Sequence, residues 1–217
     1  ASCLVGSEMC IRDRVCLCGS RILVHQSIAD QFTSKLVELV NGMICGAPED
    51  TSTQIGALIS MEHLQKVESY IELGLEEGGA VLTGGTRAMT GQVGPTQDGA
   101  FLRPTIIDGL DPSARTSTEE IFGPVVTLHR FDSDDEAIEI ANATEYGLAG
   151  SIWSTDTERA HALAQKIETG IVWVNTWLHR DLRVPFGGVK DSGVGREGGM
   201  WSLGFFSEAV NICVMED

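Results

Sequence analysis

Paired cysteine spacing is the first thing this sequence lacks. Six cysteines are present (Cys3, Cys10, Cys16, Cys18, Cys45 and Cys213), yet no two stand in C-x2-C spacing and the five histidines are scattered. No metal site is expected from that pattern, and at 217 residues the chain is not a small disulfide scaffold. Free thiols in a reducing, cytoplasmic setting are the expectation. Long apolar runs are also missing, so no membrane span is expected. Nor does a charged segment followed by an apolar one open the chain, as a secretory leader would. Bases are scarce: 15 Lys and Arg face 31 Asp and Glu, a formal net charge of −16. Such a chain repels nucleic-acid phosphates and anionic membranes, so neither is an expected partner. An anionic substrate would need a local basic residue to overcome that field.

What is present reads as a soluble globular protein, with 42% apolar and 21% charged residues. Strand and helix patterns alternate. Residues 21–24 read as a strand, and Ser27 as the cap of a helix through about Val40 with Phe32, Leu36, Leu39 and Val40 on one face. A second amphipathic helix spans 61–75, with Leu64, Val67, Ile71 and Leu75 in register, stopped by Gly78-Gly79. Strands follow at 80–83, 101–107 and 125–131, with a surface loop at 84–99. A helix at 134–143, capped by Asp132 or Ser133, precedes strands at 151–153 and 170–175 that flank a helix over 156–167. The alternation predicts an α/β fold with a partly parallel sheet. Residues 1–14 show neither period and are expected not to be native to the fold.

Gly193-Val194-Gly195-Arg196-Glu197-Gly198 fits G-x-G-x-x-G by letter. A dinucleotide fingerprint needs a buried strand directly before it, and Lys190-Asp191-Ser192 is polar, so that reading is rejected. The stretch Val15 to Val24 places a thiol just before a Gly-Ser turn and an apolar run. Two readings stand there: small buried core thiols, or a partly exposed nucleophile.

Three later stretches, taken with Cys16, resemble the aldehyde dehydrogenase superfamily. They are Glu119-Glu120-Ile121-Phe122-Gly123-Pro124-Val125, then Gly170-Ile171-Val172-Trp173-Val174-Asn175, then the glycine-rich run from Pro185 to Gly198. The resemblance covers about Val15 to Val214. It implies a catalytic-domain half over residues 15–188, a return segment towards a cofactor domain over 189–206, and an oligomerisation strand and tail over 207–217. Cys16 falls where the family keeps its nucleophile, so the implied reaction is thiolate attack on an aldehyde, hydride transfer to NAD (NADP not excluded), and hydrolysis of a thioester. Donors that hold the oxyanion, the Cys16 N–H among them, lower the barrier. Cys18 is expected to be a packing residue.

By the same resemblance Glu120 bonds the ribose on the nicotinamide side of the cofactor, where a carboxylate suits two adjacent hydroxyls. Phe122 packs near the nicotinamide. The glycines around Gly187, Gly188, Gly193 and Gly195 have a structural role. Residues 207–214 resemble a strand that pairs across a subunit interface, implying a homodimer or homotetramer.

The run Trp177-Leu178-His179-Arg180-Asp181-Leu182-Arg183 is similar to the muconic semialdehyde branch, whose substrates carry a carboxylate remote from the aldehyde. Arg180, with Trp177 beside it, is the candidate substrate-binding residue, since a guanidinium pairs a carboxylate with two parallel bonds. The competing expectation for Arg180 is an ion pair with Asp181 or another surface acid. The upstream elements that carry the dinucleotide fold, the oxyanion asparagine and the general base have no counterpart here. Turnover by this chain alone is therefore not expected. Two other functions stay open: a non-catalytic oligomerising module, and a cysteine hydrolase using Cys16 with His25 or His129.

Overall fold

A computed structural model describes residues 2–4, 16–88 and 99–216. Its centre is a seven-stranded sheet in the order β3-β4-β5-β2-β1-β7-β8. The strands are β1 (Ser2–Leu4), β2 (Arg21–His25), β3 (Ala80–Thr83), β4 (Thr105–Asp108), β5 (Val125–Phe131), β7 (Ala149–Ser154) and β8 (Ile171–Val174). β4, β5 and β2 pair in parallel, as do β7 and β8, while β1 is antiparallel to both β2 and β7. All but the edge strand β3 and the bridging β1 therefore run one way, the sheet of an α/β protein. Of residues 1–14, only this short strand lies within the described residues.

Helix α1 (Gln26–Asn41) lies on one face over Ile22, Val24, Ile106, Val126 and Leu128. The opposite face carries α2 (Met61–Glu76), the one-turn α3 (Arg115–Thr118) and α4 (Asp134–Asn142). There Leu64, Val67 and Ile71 meet Ile107 and Val125, and Ala137 and Ile140 meet Leu23 and Phe131. Strand period two explains the split, since alternate residues of β2 and β5 serve opposite layers. Helix α5 (Thr157–Ala164) covers β7 and β8 through Ala160, Leu163 and Ile152.

Four local expectations shift. His25, not Ser27, caps α1: its Nδ1 accepts the Ser27 N–H at 3.2 Å, because β2 runs on to His25 and the helix starts at once. Leu39 and Leu75 are exposed rather than packed. At α2 the inward position is Gly74, where a Cβ would stand 3.1 Å from Ile107 Cδ1 and 3.3 Å from Thr116 Cγ2. Side chains of β4 and α3 crowd this position, and one position along the helix turns Leu75 outward. The strand expected from 101 begins only at Thr105, after Pro104, which has no N–H to give a ladder.

The end of the chain differs most. A two-stranded sheet joins β6 (Tyr146–Gly147) to β9 (Val189–Lys190), and α6 (Gly199–Phe206) follows, where a glycine-rich return alone was expected. Gly198 at φ +96° and Gly199 at φ +48° make the turn into that helix. So a helix does follow Gly198, but the strand before the glycines is two residues long and ends on exposed Lys190. No buried strand feeds the G-x-G-x-x-G run. Residues 207–216 are neither helix nor strand, and Val210, Ile212 and Val214 are exposed. No described helix is long and apolar enough to cross a membrane.

Candidate active site

Two loops that precede adjacent parallel strands meet at one end of the sheet. The first, residues 16–20, enters β2. Its buried Leu17 anchors a turn that leaves Cys16 exposed and Cys18 half-buried. The Ser20 carbonyl accepts the Thr127 N–H at 3.0 Å, which ties this loop to β5. The second loop, residues 119–124, enters β5. Together with Thr144, residues 146–151 and the two tryptophans Trp173 and Trp177, they line a cleft of 540 Å³. Cys16, Glu120, Phe122 and Trp177 all border it. Cys18 borders it too, rather than being enclosed in the core. Among the cysteines whose burial is described, Cys45 is the buried one, and burial pushes its pKa up, as for an inert structural cysteine.

The second loop alternates: Glu120 and Phe122 are exposed and Ile121 is buried in the α2 cluster. Phe122 has φ +58°, a left-handed conformation that a bulky residue adopts only when its surroundings impose it. The two adjacent glutamates differ sharply. Glu119 receives Arg115 Nε at 2.6 Å and the Tyr70 hydroxyl at 2.6 Å, and those bonds hold its carboxyl below the usual range. Among the described residues no side chain bonds the Glu120 carboxylate, which stands at the cleft with its acceptors open.

Arg21 also lines the cleft, but it is already occupied. Its guanidinium donates to the Ile140 and Ala141 carbonyls, both at 2.8 Å, at the end of α4. That bonding satisfies carbonyls a helix end leaves unpaired.

Beyond β8 the loop turns on Asn175 and Leu178, at φ +53° and +55°. Trp173 is buried, donates its Nε1–H to the His179 carbonyl at 2.9 Å, and meets Trp177 edge to face at 6.5 Å. Trp173 also borders a second cavity, of 360 Å³, and Arg180 lies there rather than in the cleft of Cys16. The Arg180 guanidinium sits 4.4 Å from the centre of the Phe186 ring. The expected pair with Asp181 is not formed, because Asp181 pairs with Arg183 at 2.5 Å. Among the described residues no carboxylate lies within ion-pair distance of Arg180.

The cysteine–histidine pairing is not assembled. No histidine borders the cleft. His25 is bonded to Ser27, and His129 is buried beside Thr127, 3.0 Å from its hydroxyl. Burial, with the Arg21 cation adding to it, pulls the His129 pKa to about 4. The glycines of the return segment do serve close approach: a Cβ on Gly187 would stand 2.3 Å from the Gly195 carbonyl oxygen.

An exposed thiol, an open carboxylate and aromatic walls thus border one cleft. A model of the aldehyde dehydrogenase family matches residues 1–212, and the chain belongs to that family. It is 48% identical over 204 residues to a 2-aminomuconic 6-semialdehyde dehydrogenase of a Pseudomonas species, covering 94% of this chain and 41% of that protein. It is 45% identical over 201 residues to a 2-hydroxymuconic semialdehyde dehydrogenase of Pseudomonas sp. strain CF600, covering 93% and 41%. Among solved structures it resembles betaine aldehyde dehydrogenase of Staphylococcus aureus in complex with NAD+, with TM-score 0.85 and 41% identity over 89% of this chain and 38% of that one. The chain thus spans about two fifths of the length of the curated relatives it matches.

Sequence reasoning missed the anchoring of the second loop by α2, the occupied Arg21 and the place of Trp173. Trp173 stood within a quoted motif. The anchors had no signal, since each contact joins residues some 50 positions apart in sequence.

Proposed function

We propose that this chain is the thiol-bearing catalytic portion of an NAD-dependent aldehyde dehydrogenase. Its substrate is a carboxylated semialdehyde of the 2-aminomuconic type, oxidised to the acid. The observation that carries the reading is the meeting of Cys16, Glu120, Phe122 and Trp177 on one cleft. The names of the two Pseudomonas relatives support the substrate class, and the NAD+ complex of the Staphylococcus aureus enzyme supports the cofactor.

The Cys16 thiolate adds to the aldehyde carbon, forming a C–S bond and an oxyanion, which the Cys16 N–H helps to hold. Collapse of that oxyanion expels hydride and leaves a thioester. Water then cleaves the thioester, releasing the acid and restoring the thiol. NAD+, when bound, supplies the hydride acceptor. The residues present suit it: the open Glu120 carboxylate can accept from two ribose hydroxyls, and the exposed Phe122 ring offers a face to a planar heterocycle. Arg180 takes the remote carboxylate. Phe186 holds its guanidinium from one side, and no described acid competes for its fork. The exposed apolar residues of α6 and 207–216, Phe205, Phe206 and Ile212 among them, suit burial between subunits of a homodimer or homotetramer.

The substrate part of this reading is tested with Arg180→Ala in the full-length enzyme carrying this segment. A charge-assisted pair contributes about 2 kcal/mol, so KM for a carboxylated semialdehyde rises roughly thirtyfold. KM for a neutral aldehyde of similar size stays within about twofold. Equal losses on both substrates would refute the assignment.

A further inference from the structure

The C-terminal end of helix α4 is gripped by two cations from distant parts of the chain. Its own sequence puts Asp134, Asp135 and Glu136 in the first turn and no base in the last. The last carbonyls of a helix lack intrahelical donors, and that end carries partial negative charge. Arg21 Nη1 and Nη2 donate to the Ile140 and Ala141 carbonyls, both at 2.8 Å. Lys190 Nζ donates to the Asn142 carbonyl at 2.9 Å and to that of Thr144, just past the helix, at 3.1 Å.

Each cation adjoins residues that border the cleft. Arg21 directly follows the Cys16–Ser20 loop and borders the cleft itself. Burial lowers its pKa, and among the described residues no carboxylate lies within ion-pair distance, so the helix end is its counter-charge. Lys190 precedes Asp191 and Ser192, which also border the cleft. The Asp191 N–H donates to the Glu145 carbonyl at 2.9 Å, and Ser192 Oγ accepts the Gly147 N–H at 3.0 Å. Lys190 stands at φ +52°, and its Nζ also meets Glu168 Oε2 at 2.6 Å, so backbone and side chain are both fixed. One helix end thus fastens the nucleophile loop to the 144–147 turn and the return segment.

We propose that Arg21 and Lys190 are positioning residues for the Cys16 thiol, with Lys190 reaching the Cys16 loop through the end of α4 and Arg21. The proposal rests on the reading of Cys16 as the nucleophile. What the two cations supply is geometry. Attack on a carbonyl needs the thiol and its own N–H aligned on one carbon and one oxygen, and a displacement of about 1 Å costs about a hundredfold.

The test uses Arg21→Met and Lys190→Met in the full-length enzyme carrying this segment; each keeps a long side chain and loses its donors. For aldehyde oxidation kcat should fall about thirtyfold in Arg21→Met and about fivefold in Lys190→Met, with KM for NAD+ within about twofold. Adding Lys190→Met to Arg21→Met should cost less than about twofold further, because both act through one helix end. Arg21→Lys, which keeps a cationic donor there, should restore much of the lost kcat. Alkylation of Cys16 by iodoacetamide needs a thiolate but no aligned N–H, so its rate should stay within about threefold in every variant. Alkylation that falls in step with kcat would show Arg21 acting on the charge of the thiol, and would overturn the positioning role. So would losses that multiply in the double variant, or a lowered melting temperature with parental kcat. Should Arg21→Met not fold, Lys190→Met carries the test alone: hydrogen–deuterium exchange of the Leu17 to Ser20 amides should accelerate about fivefold, with those of Val126 and Leu128 unchanged. Unchanged exchange at 17–20 refutes the route through α4. Turnover that survives Cys16→Ser removes the nucleophile reading first, and the proposal with it.

Discussion

A Cβ built on Gly123 would lie 2.6 Å from Val67 Cγ2 and 2.7 Å from its Cγ1. The glycine of the Phe-Gly-Pro motif is therefore set by the helix beneath it. Any side chain there must lift the loop off α2, and with it the residues that line the cleft.

Gly123→Ala is accordingly expected to destabilise the chain by about 2 kcal/mol, the usual range for overpacking a tight contact. Val67→Ala alone opens a small void and also destabilises. Combined, the two changes should cost less than their sum, since each relieves the other. Urea midpoints of the four proteins measure this coupling, and strict additivity would show that the two residues are not in contact.

Asn175 supplies a second prediction. Its side chain bridges to Ser154 twice: Nδ2 donates to the carbonyl and Oδ1 accepts the N–H, both at 2.8 Å. Its backbone is left-handed, at φ +53°. Asn175→Gly loses the bonds but tolerates the backbone, and should cost about 1 kcal/mol. Asn175→Ala loses both and should cost about 2 kcal/mol. Denaturant unfolding ranks Asn above Gly above Ala; Ala equal to Gly would contradict the backbone argument.

Stability should also fall with pH in a defined window because of His129. Its folded pKa is depressed to about 4, against an ordinary 6.5. Between those values the unfolded chain binds a proton that the folded chain refuses. The loss therefore begins as pH drops below about 6.5 and levels off below about 4. At pH 5 the integrated effect is about 2 kcal/mol. His129→Gln cannot titrate, so its urea midpoint should change less between pH 7.5 and pH 5 than that of the parent. Identical slopes for the two proteins would show that His129 does not carry the window.

Much of the scaffold was legible because local chemistry and global demand agree. β5 was found at its observed bounds, since Gly123-Pro124 before it and Asp132-Ser133 after it punctuate a run rich in β-branched and apolar residues. Of the two expected caps, Ser133 and not Asp132 caps α4, accepting the Glu136 N–H at 3.3 Å. Disagreement came where a third element intervened. Leu75 fits the helical stripe by spacing, but β4 and α3 come so close to α2 that Gly74 takes the inward place. Cys16, Glu120, Phe122 and Trp177 were legible as motif residues, and the fold brings them to one cleft. Arg180 was legible as a residue type suited to carboxylates, whereas its place in the neighbouring cavity depends on left-handed turns at Asn175 and Leu178. The 207–214 strand was read from resemblance alone. In the single chain the segment joins neither edge of the sheet, and Val210, Ile212 and Val214 stay exposed.

The central claim is that Cys16, and not Cys18, is the nucleophile, although both thiols border the cleft. The most direct measurement is aldehyde-dependent NADH formation by Cys16→Ser and Cys18→Ser in the full-length enzyme. A covalent nucleophile contributes at least about a thousandfold to such chemistry. The account predicts a loss of that size for Cys16→Ser and a rate within about threefold of the parent for Cys18→Ser. An active Cys16→Ser enzyme, or an inactive Cys18→Ser enzyme that still folds, would contradict it.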